Sequence, residues 1–324
     1  MRYIVIGAGA VGGSIGGRLH ESGHEVILVA RGTNREALRA DGLRLTTPEG
    51  TRTLDIPVAA GPDEVEPRDG DVLMVAVKTQ HAVAALDAWA ARHSRSPVVC
   101  AQNGVSGERL ALRRFPEVYG MCVWLPAAHL EPGQVVAACG PLTGILHMGR
   151  YPAGTSDTLR AIAADLETSH FAAPVVPDVM RWKYAKLLAN LGNALDATLG
   201  PQAVGSPEGR ELRERAMSEG RAALAAAGIA HVSEEEQRRR RGNHMVPQAV
   251  EGVEQVGSSS WQSLARGTGS VEADYLNGEI VLLGRQFGVP TPINELLQRT
   301  ANAFAREGRA PGSLTPSELA AAAG

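Results

Sequence analysis

Arg2-Tyr3-Ile4-Val5-Ile6-Gly7-Ala8-Gly9-Ala10-Val11-Gly12-Gly13 sets a short apolar run directly before a G-x-G-x-x-G pattern. The run reads as a buried strand, and the glycines read as the turn into a helix with Val11, Ile15 and Leu19 on its apolar face. Gly23 ends that helix, and Glu25-Val26-Ile27-Leu28-Val29-Ala30 supplies a second strand. The result is a βαβ opening. In this setting the first glycine makes a tight turn, the second lets the backbone approach a pyrophosphate, and the third lets helix and strand pack closely. Unpaired N–H groups at the helix N-terminus favour an anion. Gly7, Ala8, Gly9, Ala10, Val11 and Gly12 are therefore expected to bind a dinucleotide.

The residue after the second strand bears on which dinucleotide it is. A carboxylate there would accept from the adenosine ribose 2′-OH of NAD, whereas a cation pairs with the 2′-phosphate of NADP. This chain has Arg31, and the reading favours NADPH/NADP. The plainer reading of Arg31 is a solvated arginine at a strand end.

Further along, Asp71-Val72-Leu73-Met74-Val75-Ala76-Val77 is a strand suited to burial on both faces, and it ends at Lys78-Thr79-Gln80. Pro97-Val98-Val99-Cys100-Ala101 is the next, ending at Gln102-Asn103-Gly104. Ligands in open α/β sheets bind at the carboxyl ends of strands, which puts Lys78 and Asn103 at the right edge. Each has a bland alternative, since strand-end lysines are commonly solvated and Asn-Gly is a common turn. Residues 118–150 are rich in β pattern, with Pro132-Gly133 as a turn. A helix near 155–168 and an apolar strand at 171–176 close the first domain.

The fold class expected from this alternation is an α/β domain with a largely parallel sheet over residues 1–176, followed by an all-α domain over 177–324. The second part reads as a helix from 179 to about 199, a long Arg/Ala/Glu-rich stretch, and helices near 246–265, 271–287 and 292–306. Ser233-Glu234-Glu235-Glu236 is a capping-box signature, and its glutamates stand four residues before Arg238, Arg239 and Arg240, which makes the arginine run a solvated helix face. The alanine-rich tail, 318–324, is expected to fray.

Composition narrows the classes. A chain of 324 residues is long for one core, and 44% hydrophobic with 21% charged residues describes an ordinary globular protein. A formal net charge of -3 gives no electrostatic footprint for nucleic acid or an anionic membrane. Cys100, Cys122 and Cys139 lack CxxC spacing and read as reduced apolar residues, with no metal site expected. No apolar run reaches the length of a membrane span, and the first strand starts at Arg2, which leaves no room for a signal peptide and points to the cytoplasm.

On the helix starting near Val179, Trp182, Lys186, Asn190 and Asn193 fall within about 80° of one another at about 100° per residue, opposite Tyr184, Leu187, Leu188, Leu191 and Leu195. A polar stripe opposite an apolar one is the ordinary surface helix. Carbonyl reduction gives it a second meaning, because hydride delivery to carbon leaves charge on oxygen and requires a positioned proton donor. A lysine desolvated in a cleft suits that task. Ser258-Ser259-Ser260-Trp261 and Glu272 form a further polar signal, although a glutamate in the first turn of a helix starting near Ser270 is favoured by the dipole alone.

At these residues the chain resembles the ketopantoate reductase (2-dehydropantoate 2-reductase) family over nearly its full length. The pieces occur in family order: the glycine loop, Arg31, Val77-Lys78-Thr79, Gln102-Asn103-Gly104, Lys186 to Asn190, the serines to Ser260, Glu272-Ala273-Asp274-Tyr275-Leu276-Asn277-Gly278, and Gly288-Val289-Pro290-Thr291-Pro292. The resemblance implies a Rossmann domain, a helical domain and an active site in the cleft between them. It also implies roles by position: Lys186 as general acid, Glu272 as the carboxylate on the substrate hydroxyl, and Asn103, Asn190 and Ser260 around substrate and lysine. Arg31 and Lys78 then lie near the adenosine end of NADPH. Two departures fall near the expected pocket: Ala194 replaces a second asparagine, with Asn193 one place earlier, and Trp261 stands where a methionine is frequent.

The activity expected is NADPH-dependent reduction of a branched 2-keto acid, with ketopantoate the best substrate, by a monomer or homodimer that acts on a small molecule. An opine-type or other 2-keto-acid dehydrogenase on the same plan, and a non-catalytic NADPH-binding regulator, stand as alternatives.

Overall fold

The computed structural model describes residues 1–249 and 257–321. The chain divides into two compact units, one of Met1–Lys183 with the described part of Val232–Val253, the other of Tyr184–His231 with the described part of Glu254–Gly324.

The first unit is built on an eight-stranded sheet. Its strands are β1 (Arg2–Ile6), β2 (Glu25–Val29), β3 (Val58–Ala59), β4 (Asp71–Val75), β5 (Val98–Cys100), β6 (Val118–Trp124), β7 (Gly144–Arg150) and β8 (Phe171–Ala172). Their spatial order is β8-β7-β6-β5-β4-β1-β2-β3, parallel throughout except where β7 runs antiparallel to β6. From β1 the chain winds outward through β2 and β3 and then returns to add β4 on the other side of β1. The carboxyl ends of β1 and β4 are therefore the point where ligands bind in such sheets.

Strand alternation sorts the apolar side chains into two cores. Tyr3, Val5, Val72 and Met74 enter one face, and Ile4, Ile6, Leu73 and Val75 the other, all essentially excluded from solvent. The expected β-rich segment contributes two strands to a second sheet, in which Gln134–Ala137 pairs with Leu43–Thr47 and Ala127–Ala128. The Ala10–Glu21 helix packs against both sheets. A side chain at Gly16 would strike Leu28 at 2.7 Å, and one at Gly13 would strike Val135 at 2.7 Å, so these helical glycines set the close approach.

The second unit is helical. The Pro207–Ala226 helix packs at Gly220 against the end of the Val179–Asn190 helix, where a Cβ would lie 2.7 Å from Leu188 and 2.9 Å from Leu191. Leu187, Leu188, Leu191 and Leu195 are buried, as the apolar face required. Among the described residues the unit also holds helices at Asn193–Val204, Ser259–Ala265, Asn277–Phe287, Pro292–Glu307 and Pro316–Ala321 and a 3-10 turn at Glu272–Tyr275.

Three sequence expectations change. The helix from 179 to about 199 is two helices, Val179–Asn190 and Asn193–Val204, the second kinked at Gly200 (φ 78°) ahead of Pro201. The region expected as a helix at 246–265 begins inside a strand, Met245–Pro247, paired with Cys139–Pro141, so the later chain is not purely helical. Residues 250–256 of that expected helix lie outside the described residues, and helix resumes at Ser259. Residues 318–321 of the tail are helical rather than frayed, since Thr315 and Glu318 cap the Pro316–Ala321 helix reciprocally and Leu319 is 1% exposed, while 322–324 lie outside the described residues. The Ser233 cap forms as expected, accepting from the Glu236 N–H at 3.1 Å. All three cysteines are free and buried.

Candidate active site

The glycine loop follows β1 without a break. Gly7 has φ of 105°, a backbone that L side chains rarely adopt, and a Cβ there would sit 2.8 Å from the Val77 nitrogen. A Cβ at Gly12 would come 2.0 Å from the Gly7 carbonyl oxygen. At Gly9 it would meet nothing nearer than His129 Cδ2, at 3.8 Å. The first and third glycines thus serve the protein's own packing, whereas the second borders open space.

Gly9 is also the N-cap of the Ala10–Glu21 helix, whose first turn has neither a side-chain cap nor an acidic residue. Its leading N–H groups suit an anion. The residues fit a dinucleotide's pyrophosphate on three counts: the open face at Gly9, the uncapped helix end and the sheet switch point. Asn34 fixes the loop, since its Nδ2 donates to the Ala8 carbonyl at 3.0 Å and its Oδ1 accepts from the Gly133 N–H at 2.8 Å. Sequence reading passed over Asn34, because its partners lie 26 and 99 residues away.

Arg31 is exposed and N-caps the Gly32–Asp41 helix directly after β2, with Ala30 before it and Gly32 after. Lys78 and Asn103 are half-buried at the ends of β4 and β5, and the Thr79 hydroxyl donates to the Asn103 carbonyl at 3.4 Å. The first unit therefore gathers the glycine loop, Arg31, Lys78 and Asn103 along one edge of the sheet.

In the second unit, Lys186 and Asn190 are half-buried one turn apart on the Val179–Asn190 helix. The Asn190 Nδ2 is buried with no hydrogen-bond partner. A buried donor without an acceptor costs free energy unless a ligand supplies one. Ser260 and Glu272 are buried at 3% and 4% exposure. Ser259, which sequence reading did not single out, has a buried hydroxyl without a partner. Glu272 opens a 3-10 turn rather than the first turn of the α-helix, which starts at Asn277. That turn is tied down by Asp274, which accepts from Gln298 and Asn302 at 2.7 Å each, and by Asn277, which donates to the Leu191 carbonyl at 3.1 Å and to Asn294 at 3.0 Å.

The expected stripe of four does not survive whole. Trp182 belongs to the first unit, where it is 5% exposed and stacked on His147 with ring centroids 3.7 Å apart. Asn193 starts the next helix and lines, with Asp196, Arg213 and Ser258, a cavity of about 410 Å³ within the second unit. Ala194 is buried. Trp261 folds back so that a Cβ at Gly257 would lie 2.5 Å from its ring.

Family patterns settle the kinship. The description "Ketopantoate reductase PanE/ApbA" matches residues 3–152, and its C-terminal counterpart matches residues 178–305. This chain belongs to the ketopantoate reductase family. The chain is thus an oxidoreductase of that family, and its two patterns correspond to the Rossmann-type α/β part and the helical part. A 2-dehydropantoate 2-reductase of Archaeoglobus fulgidus is 28% identical over 301 residues, 91% of this chain and 95% of that one. A PanE/ApbA family ketopantoate reductase of Ralstonia eutropha superposes with a TM-score of 0.79 at 28% identity, covering 95% of this chain and all (100%) of that one. A D-mandelate dehydrogenase, solved with NADH and anilino(oxo)acetate, superposes with a TM-score of 0.80 at 20% identity over 96% of this chain and 100% of the other, a likeness of fold. No helix among the described residues is long and apolar enough to cross a membrane.

Proposed function

We propose that this ketopantoate reductase family member reduces a branched 2-keto acid to the 2-hydroxy acid with NADPH, and that ketopantoate is its best substrate. Family membership and the open face at Gly9 beside an uncapped helix N-terminus carry the reading. Gly7 through Gly12 hold the pyrophosphate, Asn103 lies beside cofactor and substrate, and Arg31 and Lys78 hold the phosphate-bearing adenosine end. Arg31 supports NADPH over NADH because it stands where a carboxylate would otherwise accept the ribose 2′-OH.

Bound NADPH supplies hydride to the keto carbon. The developing charge on oxygen then needs a proton, and Lys186 provides it as general acid. Asn190, whose amide donor is unpartnered, and Ser260 orient the substrate. Glu272 accepts from the substrate's hydroxyl, which selects for an acid that carries one. The displaced Asn193 and the bulk of Trp261 alter the pocket rather than the reaction, so 2-keto acids that keep the hydroxyl and differ by a methylene or two should be accepted with preferences of about 1–3 kcal/mol.

Product analysis tests the reading. An incubation with ketopantoate and NADPH should yield pantoate and NADP in equal amounts. A product that contains amino nitrogen when amino acids are added would show an opine-type dehydrogenase instead, and binding without turnover would show a regulator.

A further inference from the structure

Behind the carboxyl edge of the first unit lies an ion pair with no place in the chemistry above. Lys183, one turn before Lys186 in sequence, is 3% exposed, and Glu108 is 0% exposed. The Lys183 ammonium donates to Glu108 Oε1 and, at 3.1 Å, to the backbone carbonyl of Gln102. The Gln102 side chain in turn donates through Nε2 to the Val77 carbonyl at 2.7 Å. The pair therefore reaches two turns, Gln102-Asn103-Gly104 after β5 and Val77-Lys78-Thr79 after β4.

Two glycines make room for this arrangement. A Cβ at Gly107 would lie 2.5 Å from Gln102 Oε1, and one at Gly120 would lie 2.8 Å from Val179 Cγ1 and 3.2 Å from Glu108 Oε1. The missing side chain at Gly107 leaves room for the Gln102 amide, and the one at Gly120 for Val179 and Glu108 together. Gln102 Oε1 and Glu108 Oε2 also remain buried without partners. Ion pairs of this kind contribute little net stability, because desolvation offsets their attraction, and well-packed apolar replacements often match or exceed them. Stability alone does not account for the arrangement.

We infer that the buried Lys183–Glu108 pair is a positioning device for the cofactor edge, setting the Gln102-Asn103-Gly104 turn and, through the Gln102 amide, the end of β4 that carries Lys78. The inference rests on the proposal that a nicotinamide dinucleotide binds at the glycine loop. Lys183 is not a proton donor to substrate, since its ammonium is committed to Glu108 and the Gln102 carbonyl.

The experiment replaces both partners at once, Lys183→Met with Glu108→Leu, so that neither charge is left buried alone. Melting temperature and NADPH affinity are then measured on the full chain. A positioning role predicts an unchanged or higher melting temperature, NADPH affinity at least tenfold weaker, and a raised KM for NADPH with kcat changed far less. A melting temperature at or above wild type with NADPH affinity within twofold would overturn the inference and leave the pair a packing feature. Should the double variant fail to fold, Gln102→Met decides, because it keeps the ion pair and removes only the link to Val77. Weaker NADPH binding by that variant supports the role, and unaltered binding overturns it. A wild-type protein that binds neither NADPH nor NADH overturns the dinucleotide reading as well, which separates the two failures.

Discussion

Gly9 and Gly12 lie three residues apart in one turn yet face opposite surroundings: a Cβ at Gly12 would come 2.0 Å from the Gly7 carbonyl, while at Gly9 the nearest atom is 3.8 Å away. Gly9 has φ of -89°, so it gains nothing from glycine's backbone freedom. Its missing side chain matters only to something that approaches from outside. Gly9→Ala should therefore keep the stability of the wild type to within about 0.5 kcal/mol and weaken NADPH binding at least tenfold. Gly12→Ala should cost about 1–3 kcal/mol or more of folding stability by overpacking. Denaturant unfolding and NADPH titration of the two variants check the contrast, and equal effects of both on folding would contradict it.

Lys186 and Asn190 separate by the step they serve. Lys186→Ala should lower kcat about 10²- to 10⁴-fold, as expected for loss of a general acid, with NADPH affinity retained. Asn190→Ala should act mainly through KM for the keto acid. Steady-state kinetics on both variants distinguish these outcomes, and near wild-type kcat for Lys186→Ala would remove it from the mechanism.

Arg31 is exposed at the end of β2, where changing its charge disturbs no packing. Arg31→Glu should shift the ratio of kcat/KM values from NADPH toward NADH, with thermal stability unchanged. A constant ratio would show that Arg31 does not meet a 2′-phosphate.

The sequence made the cofactor half plain because its signals are local. Strand, glycine turn and helix at residues 2–21 follow one another in sequence, although Gly7 and Gly13 pack against Val77 and Val135, far along the chain. Strands β4 and β5 announced themselves by continuous apolar runs, which placed Lys78 and Asn103 just past their carboxyl ends. Non-local arrangements stayed hidden. Nothing near Lys183 distinguishes it from Lys186, and its partner Glu108 is 75 residues away. The break between Asn190 and Asn193 was invisible because Gly192 keeps a right-handed backbone, φ -73° and ψ -10°, so the helical period seemed to run on and carried Asn193 into a stripe it does not share. Burial of Leu319 likewise follows from tertiary contact, since the Gly312 and Leu314 N–H groups donate to the Ala197 and Thr198 carbonyls and anchor the segment before it.

His147 adds a pH dependence unrelated to catalysis. Its ring is buried against Trp182, both ring nitrogens lack partners, and burial first, then the nearby Arg240 charge, lowers its pKa from the ordinary 6.5 to about 4. Between those values the unfolded chain binds a proton that the folded protein refuses, so stability is fully present above pH 6.5 and falls as pH drops toward 4. At about 1.4 kcal/mol per pKa unit the loss approaches about 3 kcal/mol. His147→Phe should flatten that part of the profile. Urea unfolding at several pH values between 4 and 6.5 checks it, and an identical slope in wild type and variant would place the dependence elsewhere.

The reaction itself is open to direct measurement. Initial rates of NADPH oxidation with ketopantoate, 2-ketoisovalerate, and pyruvate plus amino acids test it most directly, each repeated with NADH. The highest kcat/KM is expected for ketopantoate with NADPH, with lower values for 2-ketoisovalerate and no requirement for an amino acid. Tight NADPH binding without oxidation by any of these acids would contradict it.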